Sequence, residues 1–303
     1  MKTLITSSFK TTAQEQTLLN GLGLEITYQQ DEYSQTQAPE QYEAVICYDL
    51  FRENDISRFG GLKYLQITSA GTDHLPMDYI RRQGIVFNNA RGVYSVPMAE
   101  FALGGVLQLY KKAAEFRSNQ QQHIWRRLRG IQELAGKQVC IVGMGSIGSE
   151  LAKRFSAFDA QVIGVDILPV NSPWFSSFLP ASRLDEALSQ ADIVVLALPL
   201  MASTRHFFNR ERFGAMQPGS LFVNVARGAV VEQEALVEAL NSGHLQGAVL
   251  DVFEPEPLPE DSPLWDMPNV LVTPHNSFLA ESNRSSMFKV VLKNLQDYLA
   301  QTK

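Results

Sequence analysis

The sequence predicts an α/β chain built on two parallel sheets, and three observations carry that prediction. Short apolar runs alternate with polar or amphipathic stretches, the alternation restarts part-way along, and 303 residues exceed the roughly 250 that one hydrophobic core holds. In the first part, Leu4–Thr6, Glu25–Tyr28, Ala44–Cys47, Tyr64–Ile67 and Ile85–Phe87 read as strands, with helical stretches around Thr12–Leu19 and Pro76–Gln83. From Val96 to Gln121 there is no proline after Pro97. Ser95 can cap the stretch and Pro97 suits a first turn, so it reads as one long helix. The second part then begins: Gln138–Val142 a strand, Ile147–Phe158 a helix, Gln161–Val165, Ile193–Leu198 and Ser220–Asn224 strands, Val231–Asn241 a helix stopped at Ser242-Gly243. Gln246–Asp251 and Val270–Val272 complete the strands, on either side of the proline-rich Glu254–Pro263 loop, and Leu279–Ala300 closes the chain as a helix.

Composition narrows the function classes. A formal net charge of −6 argues against nucleic acid and anionic membrane as main partners. The N-terminus turns polar after a few residues, and no apolar run approaches the ~20 residues that cross a bilayer, so the expected location is cytoplasmic. Cys47 and Cys140 each lie in a short apolar run and read as reduced, buried thiols. His74, His123, His206 and His244 lack partners at metal-ligand spacing, so no metal is expected. Lys111, Lys112, Arg117, Arg126, Arg127 and Arg129 form a basic stretch around Trp125. On an acidic chain this reads as a solvated face, subunit contact or cleft rim rather than a nucleic-acid patch. Apolar spacing in Met98–Leu109 fits core or dimer contact.

Val142-Gly143-Met144-Gly145-Ser146-Ile147-Gly148 follows an apolar strand and opens a helix, the context that gives a G-x-G-x-x-G pattern meaning. Gly143 permits the tight turn, Gly145 lets backbone approach a pyrophosphate, and Gly148 lets helix and strand pack closely. The amides of the helix N-terminus favour phosphate. Asp166, ending the next strand, can accept from ribose hydroxyls and would repel a 2′-phosphate, which favours NAD over NADP.

Three later segments join this turn: Phe222-Val223-Asn224-Val225-Ala226-Arg227-Gly228, Leu250-Asp251-Val252-Phe253-Glu254-Pro255-Glu256-Pro257-Leu258-Pro259, and Val272-Thr273-Pro274-His275. In that order they make the chain resemble the D-isomer-specific 2-hydroxyacid dehydrogenases over nearly its whole length. The resemblance implies two Rossmann- or flavodoxin-like, doubly wound lobes with an inter-domain cleft. It places a NAD-binding lobe at 97–274 and a substrate-binding lobe at 1–96 plus 275–303. It implies reversible hydride transfer between NAD(H) and a small 2-hydroxy or 2-keto acid, with Arg227, Glu256 and His275 as the catalytic set. The chemistry suits those residue types. An imidazole changes charge near neutral pH and can give or take the carbonyl proton; a carboxylate beside it favours imidazolium and fixes the ring; a guanidinium holds a carboxylate and polarises a carbonyl. Glu254 competes for the acid role, and the family's acid–proline pair before Leu-Pro selects Glu256.

By the same resemblance Ser69, Ala70 and Gly71 grip the substrate carboxylate through their amides, and Asn88 and Tyr94 belong to the segment beside the substrate. Met144, Ser146 and Ile147 join the three glycines at the cofactor. Leu198 and Pro199 lie near the adenine, Thr204 near the diphosphate, Val225 and Ala226 line the nicotinamide, and Asp251 binds its amide. A homodimer is expected. The chain departs from the family where Asn276-Ser277-Phe278 follows His275 and at bulky Tyr94, and the stop soon after its closing helix leads to the expectation of no regulatory extension. The rival class is an NADH-sensing, co-repressor-like binding protein without significant turnover, which assays on a panel of keto acids would separate.

Overall fold

The computed structural model describes residues 1–301. The chain divides into two compact units, Met1–Tyr94 together with the segment from Ala280 on, and Ser95–Leu279. The division falls after Leu279, not between Pro274 and His275, so His275 belongs with the second unit. The reason lies in Asp251, whose hydrogen bonds hold the loop around His275.

In the first unit, strands β1 (Lys2–Thr6), β2 (Glu25–Gln29), β3 (Ala44–Cys47), β4 (Tyr64–Ile67) and β5 (Val86–Asn88) form one parallel sheet, ordered β2-β1-β3-β4-β5. Helices α1 (Ala13–Gly21) and α2 (Met77–Arg82) cross between strands, and the chain's last helix, Asn283–Gln301, returns to the same unit. Side chains alternate across the sheet. Ile5, Ala44, Ile46 and Tyr64 pack on one face with Met287, Phe288, Val291 and Leu295 of the last helix. Leu4, Val45, Cys47, Leu65 and Ile67 pack on the other, over Leu50 and Ile80. Both faces are covered, which is why β3 reads as an unbroken apolar run.

The second unit opens with α3 (Ser95–Tyr110) and α4 (Ala113–Gln121). The single long helix expected here is thus two, broken at Lys112, whose backbone is left-handed (φ 54°, ψ 43°). The apolar stripe of α3 ends at Tyr110. Only Asn119 of α4 is buried, so nothing packs to keep the second stretch in line with the first. There follow β6 (Gln138–Val142), α5 (Ser146–Ser156), β7 (Gln161–Asp166), β8 (Ser177–Pro180), α6 (Leu184–Leu188), β9 (Ile193–Leu196), α7 (Arg210–Ala215), β10 (Ser220–Asn224), α8 (Gln233–Asn241), β11 (Leu245–Leu250) and β12 (Val270–Val272). The sheet runs β12-β11-β10-β9-β6-β7-β8, all parallel. From β6 the chain moves outward through β7 and β8, then returns to β9 on β6's other side. The C-terminal ends of β6 and β9 therefore flank a topological switch point, where open α/β sheets take ligands.

Both cysteines are free and buried, and burial pushes the Cys140 thiol up to about 12. No helix among the described residues is long and apolar enough to cross a membrane, and none of them cluster as a metal site.

Candidate active site

The glycine turn sits at that switch point. Gly143 has φ 102°, a region open to glycine, and a Cβ there would lie 2.6 Å from the Ala197 carbonyl oxygen. The turn thus packs directly on the main chain leading into Leu198 and Pro199. Gly148 is equally constrained, since a Cβ would come 2.0 Å from the Gly143 oxygen. Gly145 differs: a Cβ would meet nothing within 4 Å. No side chain caps α5, so its first amides point to an open approach beside Gly145. The half-buried Asp166 carboxylate accepts from Met144 N at 2.7 Å and from Ile167 N at 2.7 Å, joining the turn to the end of β7.

The other cofactor candidates divide by what they expose. Met144 is buried, with its sulfur against Gly164, and offers the site only backbone. Ser146 and Ile147 are half-buried in the first turn of α5. Leu198 is half-buried on the core and Pro199 is exposed. The Thr204 hydroxyl donates to Pro199 O and accepts from Met201 N, both at 2.7 Å, so it shapes its own loop. Val225 and Ala226 are buried and, like Met144, present main chain.

Arg227, Glu256 and His275 all lie in the second unit. Buried Asn224 at the end of β10 clamps the turn before Arg227: its side chain accepts from Ala226 N (3.0 Å) and donates to Arg227 O (3.1 Å). The Arg227 guanidinium donates to Ala226 O at 2.8 Å. Next comes Gly228, where a Cβ would sit 2.0 Å from the Phe253 carbonyl. Only glycine lets this turn lie so close to the Phe253–Pro257 segment. In that segment the Glu256 carboxylate accepts from Phe253 N (3.0 Å) with one oxygen and faces His275 Nδ1 (2.9 Å) with the other. His275 Nε2 is left pointing elsewhere, on a ring about two-fifths exposed, with Phe278 edge-on at 5.9 Å between centroids. His275 has φ 52°, an unusual backbone for a non-glycine residue.

Asp251 explains how that backbone is maintained. Wholly buried, it accepts from Thr273 Oγ1 and Asn276 N (2.7 Å each) and Ser277 N (2.9 Å), while its carbonyl accepts from His275 N (2.8 Å). The carboxylate expected at the nicotinamide amide is thus engaged in fixing the histidine loop.

In the first unit, Ser69, Ala70 and Gly71 form the turn after β4. Bonds to its carbonyls hold it: Ser69 Oγ to Gly71 O (2.8 Å), Asn89 Nδ2 to Ala70 O (2.8 Å), and Ala90 N to Ser69 O (2.9 Å). The three amides stand outside this set. Tyr94 donates its hydroxyl to Thr68 O (2.5 Å), and burial raises the phenol to about 12. Asn88 is tied into a polar network of the fold, with its Nδ2 near Tyr64 Oη, and Tyr64 and Asn294 both donating to Gln66.

Comparison with known proteins decides the family. Residues 103–277 match the model of the D-isomer specific 2-hydroxyacid dehydrogenase NAD binding domain. The chain belongs to the D-isomer-specific 2-hydroxyacid dehydrogenases. It is 36% identical over 244 residues to a glyoxylate reductase of Thermofilum pendens, covering 77% of this chain and 71% of that one. A D-3-phosphoglycerate dehydrogenase of Methanocaldococcus jannaschii is 32% identical over 78% of this chain, which spans only 46% of that relative. A D-isomer specific 2-hydroxyacid dehydrogenase of Xanthobacter autotrophicus Py2, solved in complex with NADPH and MES, superposes with a TM-score of 0.79 at 30% identity, covering 97% of this chain and 95% of that one.

For this NAD-dependent 2-hydroxyacid dehydrogenase the open space at Gly145 and the uncapped helix fit a diphosphate, so the residues present suit the cofactor. Sequence reasoning missed one residue outright and the partners of another. Asn89, beside the expected Asn88, is the one that braces the Ser69–Gly71 turn, and Glu254, passed over for Glu256, is gripped by Arg205 and His206. An asparagine pair before a turn hints at the first. Nothing local marks the second.

Proposed function

We propose that this dehydrogenase reduces a small 2-keto acid to the D-2-hydroxy acid, reversibly, with Glu256 and His275 as its acid–base couple and Arg227 holding the substrate. The observation that carries the reading is the 2.9 Å contact between Glu256 and His275 Nδ1, which leaves Nε2 to face a substrate oxygen. The Gly143–Gly148 turn and Asp166 would hold NAD(H), which would supply or take the hydride at the carbonyl carbon. In the reductive direction the substrate's carbonyl oxygen takes a proton from His275 Nε2. Glu256 stabilises the imidazolium before that transfer and keeps the ring in plane. Arg227 draws electron density toward the carbonyl oxygen and pairs with the substrate carboxylate.

Asp166 directs cofactor choice. No lysine or arginine lies between it and Arg183 to neutralise a 2′-phosphate. Across glyoxylate, hydroxypyruvate, 3-phosphohydroxypyruvate and branched or aromatic keto acids, NADH oxidation is expected on at least one, with kcat/KM at least about tenfold above that with NADPH. Binding of NADH without turnover on any would overturn the enzymatic reading in favour of a sensor.

The segment from Gln122 to Gln132 is read as the contact with a second copy. Trp125 is fully exposed there, among Arg126, Arg127 and Arg129, on a chain of net charge −6. Sedimentation is expected to give twice the monomer mass, and Trp125→Ala a shift toward monomer. A monomeric parent protein would refute this.

A further inference from the structure

Between the cofactor loop and α7 the chain makes a short ladder with the residues that follow Arg227. His206 N donates to Ala229 O (2.8 Å), Phe208 N to Val230 O (3.0 Å), and Glu232 N returns to Phe208 O (2.9 Å). From this ladder two side chains reach Glu254. The Arg205 guanidinium donates to Glu254 Oε1, and His206 Nε2 lies 3.0 Å from Glu254 Oε2. Glu254 stands two residues before Glu256, in a segment whose Phe253 carbonyl touches Gly228 and whose Phe253 amide binds Glu256. One dipeptide thus bonds through its main chain to the Arg227 turn and through its side chains to the Glu256 segment.

We propose that Arg205, Glu254 and His206 form a clasp that sets the Glu256 segment in register with the Arg227 turn, and that all three are positioning residues for the acid–base couple. The His206 contact, and after it that of Arg205, holds the Glu254 carboxyl below the usual carboxylate range, as an acceptor of two donors should be. The three side chains are half-exposed, and exposed ion pairs add little to stability. Their effect is on geometry. Two chain segments far apart in sequence are pinned at one carboxylate, next to the point where only glycine permits their contact.

The inference rests on the roles given above to Glu256 and Arg227, and the test separates the two. Glu254→Ala, Arg205→Ala, their double variant, Glu254→Gln and Glu256→Gln are compared in the full-length enzyme by kcat, keto-acid KM, NADH affinity and Tm. Glu254→Ala and Arg205→Ala are each expected to lower kcat about tenfold, short of the roughly hundredfold cost of a full ångström of misplacement. NADH affinity and Tm should change little. The double variant should be no worse than the weaker single, and Glu254→Gln, still able to accept from Arg205 and to donate to a neutral His206, should recover most of the loss. Glu254→Ala with kcat within about twofold of the parent, or losses that add in the double variant, would overturn the clasp. If Glu256→Gln also retains full turnover, the acid–base reading falls and the clasp with it. If Glu256→Gln is inactive while Glu254→Ala is not, the clasp alone fails.

Discussion

His275→Gln is expected to lower kcat/KM by about 10²–10⁴-fold in both directions while leaving NADH affinity within about twofold. Glutamine fills a similar volume and can hydrogen-bond Glu256, so the segment that ring faces should stay in place. What disappears is a group that can give up and take back a proton near neutral pH. An effect on kcat shows that the loss occurs after binding; an effect confined to KM would assign His275 to substrate binding only. Steady-state kinetics with keto acid and hydroxy acid, beside a fluorescence titration of NADH, distinguishes these. A variant as active as the parent would refute the role assigned to the imidazole.

Asp251→Asn has the second largest expected effect, and a different signature. Its carboxylate is fully buried and takes one hydroxyl and two amide donors from the Thr273–Ser277 loop. Asparagine retains one acceptor oxygen and aims an NH₂ group at a donor that can give it nothing. A buried donor left unmet costs about 1–3 kcal/mol. The loop also carries the positive φ of His275, a conformation that persists only where its surroundings enforce it. Asp251→Asn should therefore lower Tm by several degrees and kcat by about a hundredfold together, the histidine having lost its fixed place. A raised NADH Kd with unchanged Tm would favour the nicotinamide contact that family resemblance suggested. Thermal unfolding and NADH titration on the same preparation decide between them.

Much of the fold was readable because the sheets are covered on both faces. Strands such as Ala44–Cys47 and Ile193–Leu196 are buried throughout, and burial of every position leaves an apolar run that needs no partner to be recognised. The glycine turn was legible for a related reason, since Gly143 and Gly148 answer contacts made within a few residues. Reading failed where the cause is distant. The stretch through Lys112 carries no helix breaker, yet the packing that would straighten it ends at Tyr110. The short β8 lacks alternation because its residues are only half-buried at the sheet edge, and α6 and α7 are too short to show a period. In the site, residue types and the Glu256–His275 pairing were legible, and other hydrogen-bond allegiances were not. Asp251 is committed to amides more than twenty residues later, and Glu254 to Arg205 and His206 nearly fifty earlier. Neither spacing leaves a trace in a local pattern.

The glycine turn, the guanidinium, the imidazole and its carboxylate are all encoded within Ser95–Leu279, while the turn that family resemblance assigns to the substrate carboxylate is encoded before it. Diversification can therefore act on Ser69–Gly71 and its Asn89 brace, altering which acid is welcomed, without retuning the redox apparatus. Exchanging Met1–Tyr94 between relatives, together with the closing helix that completes its core, becomes a route to new selectivity that inherits an intact engine.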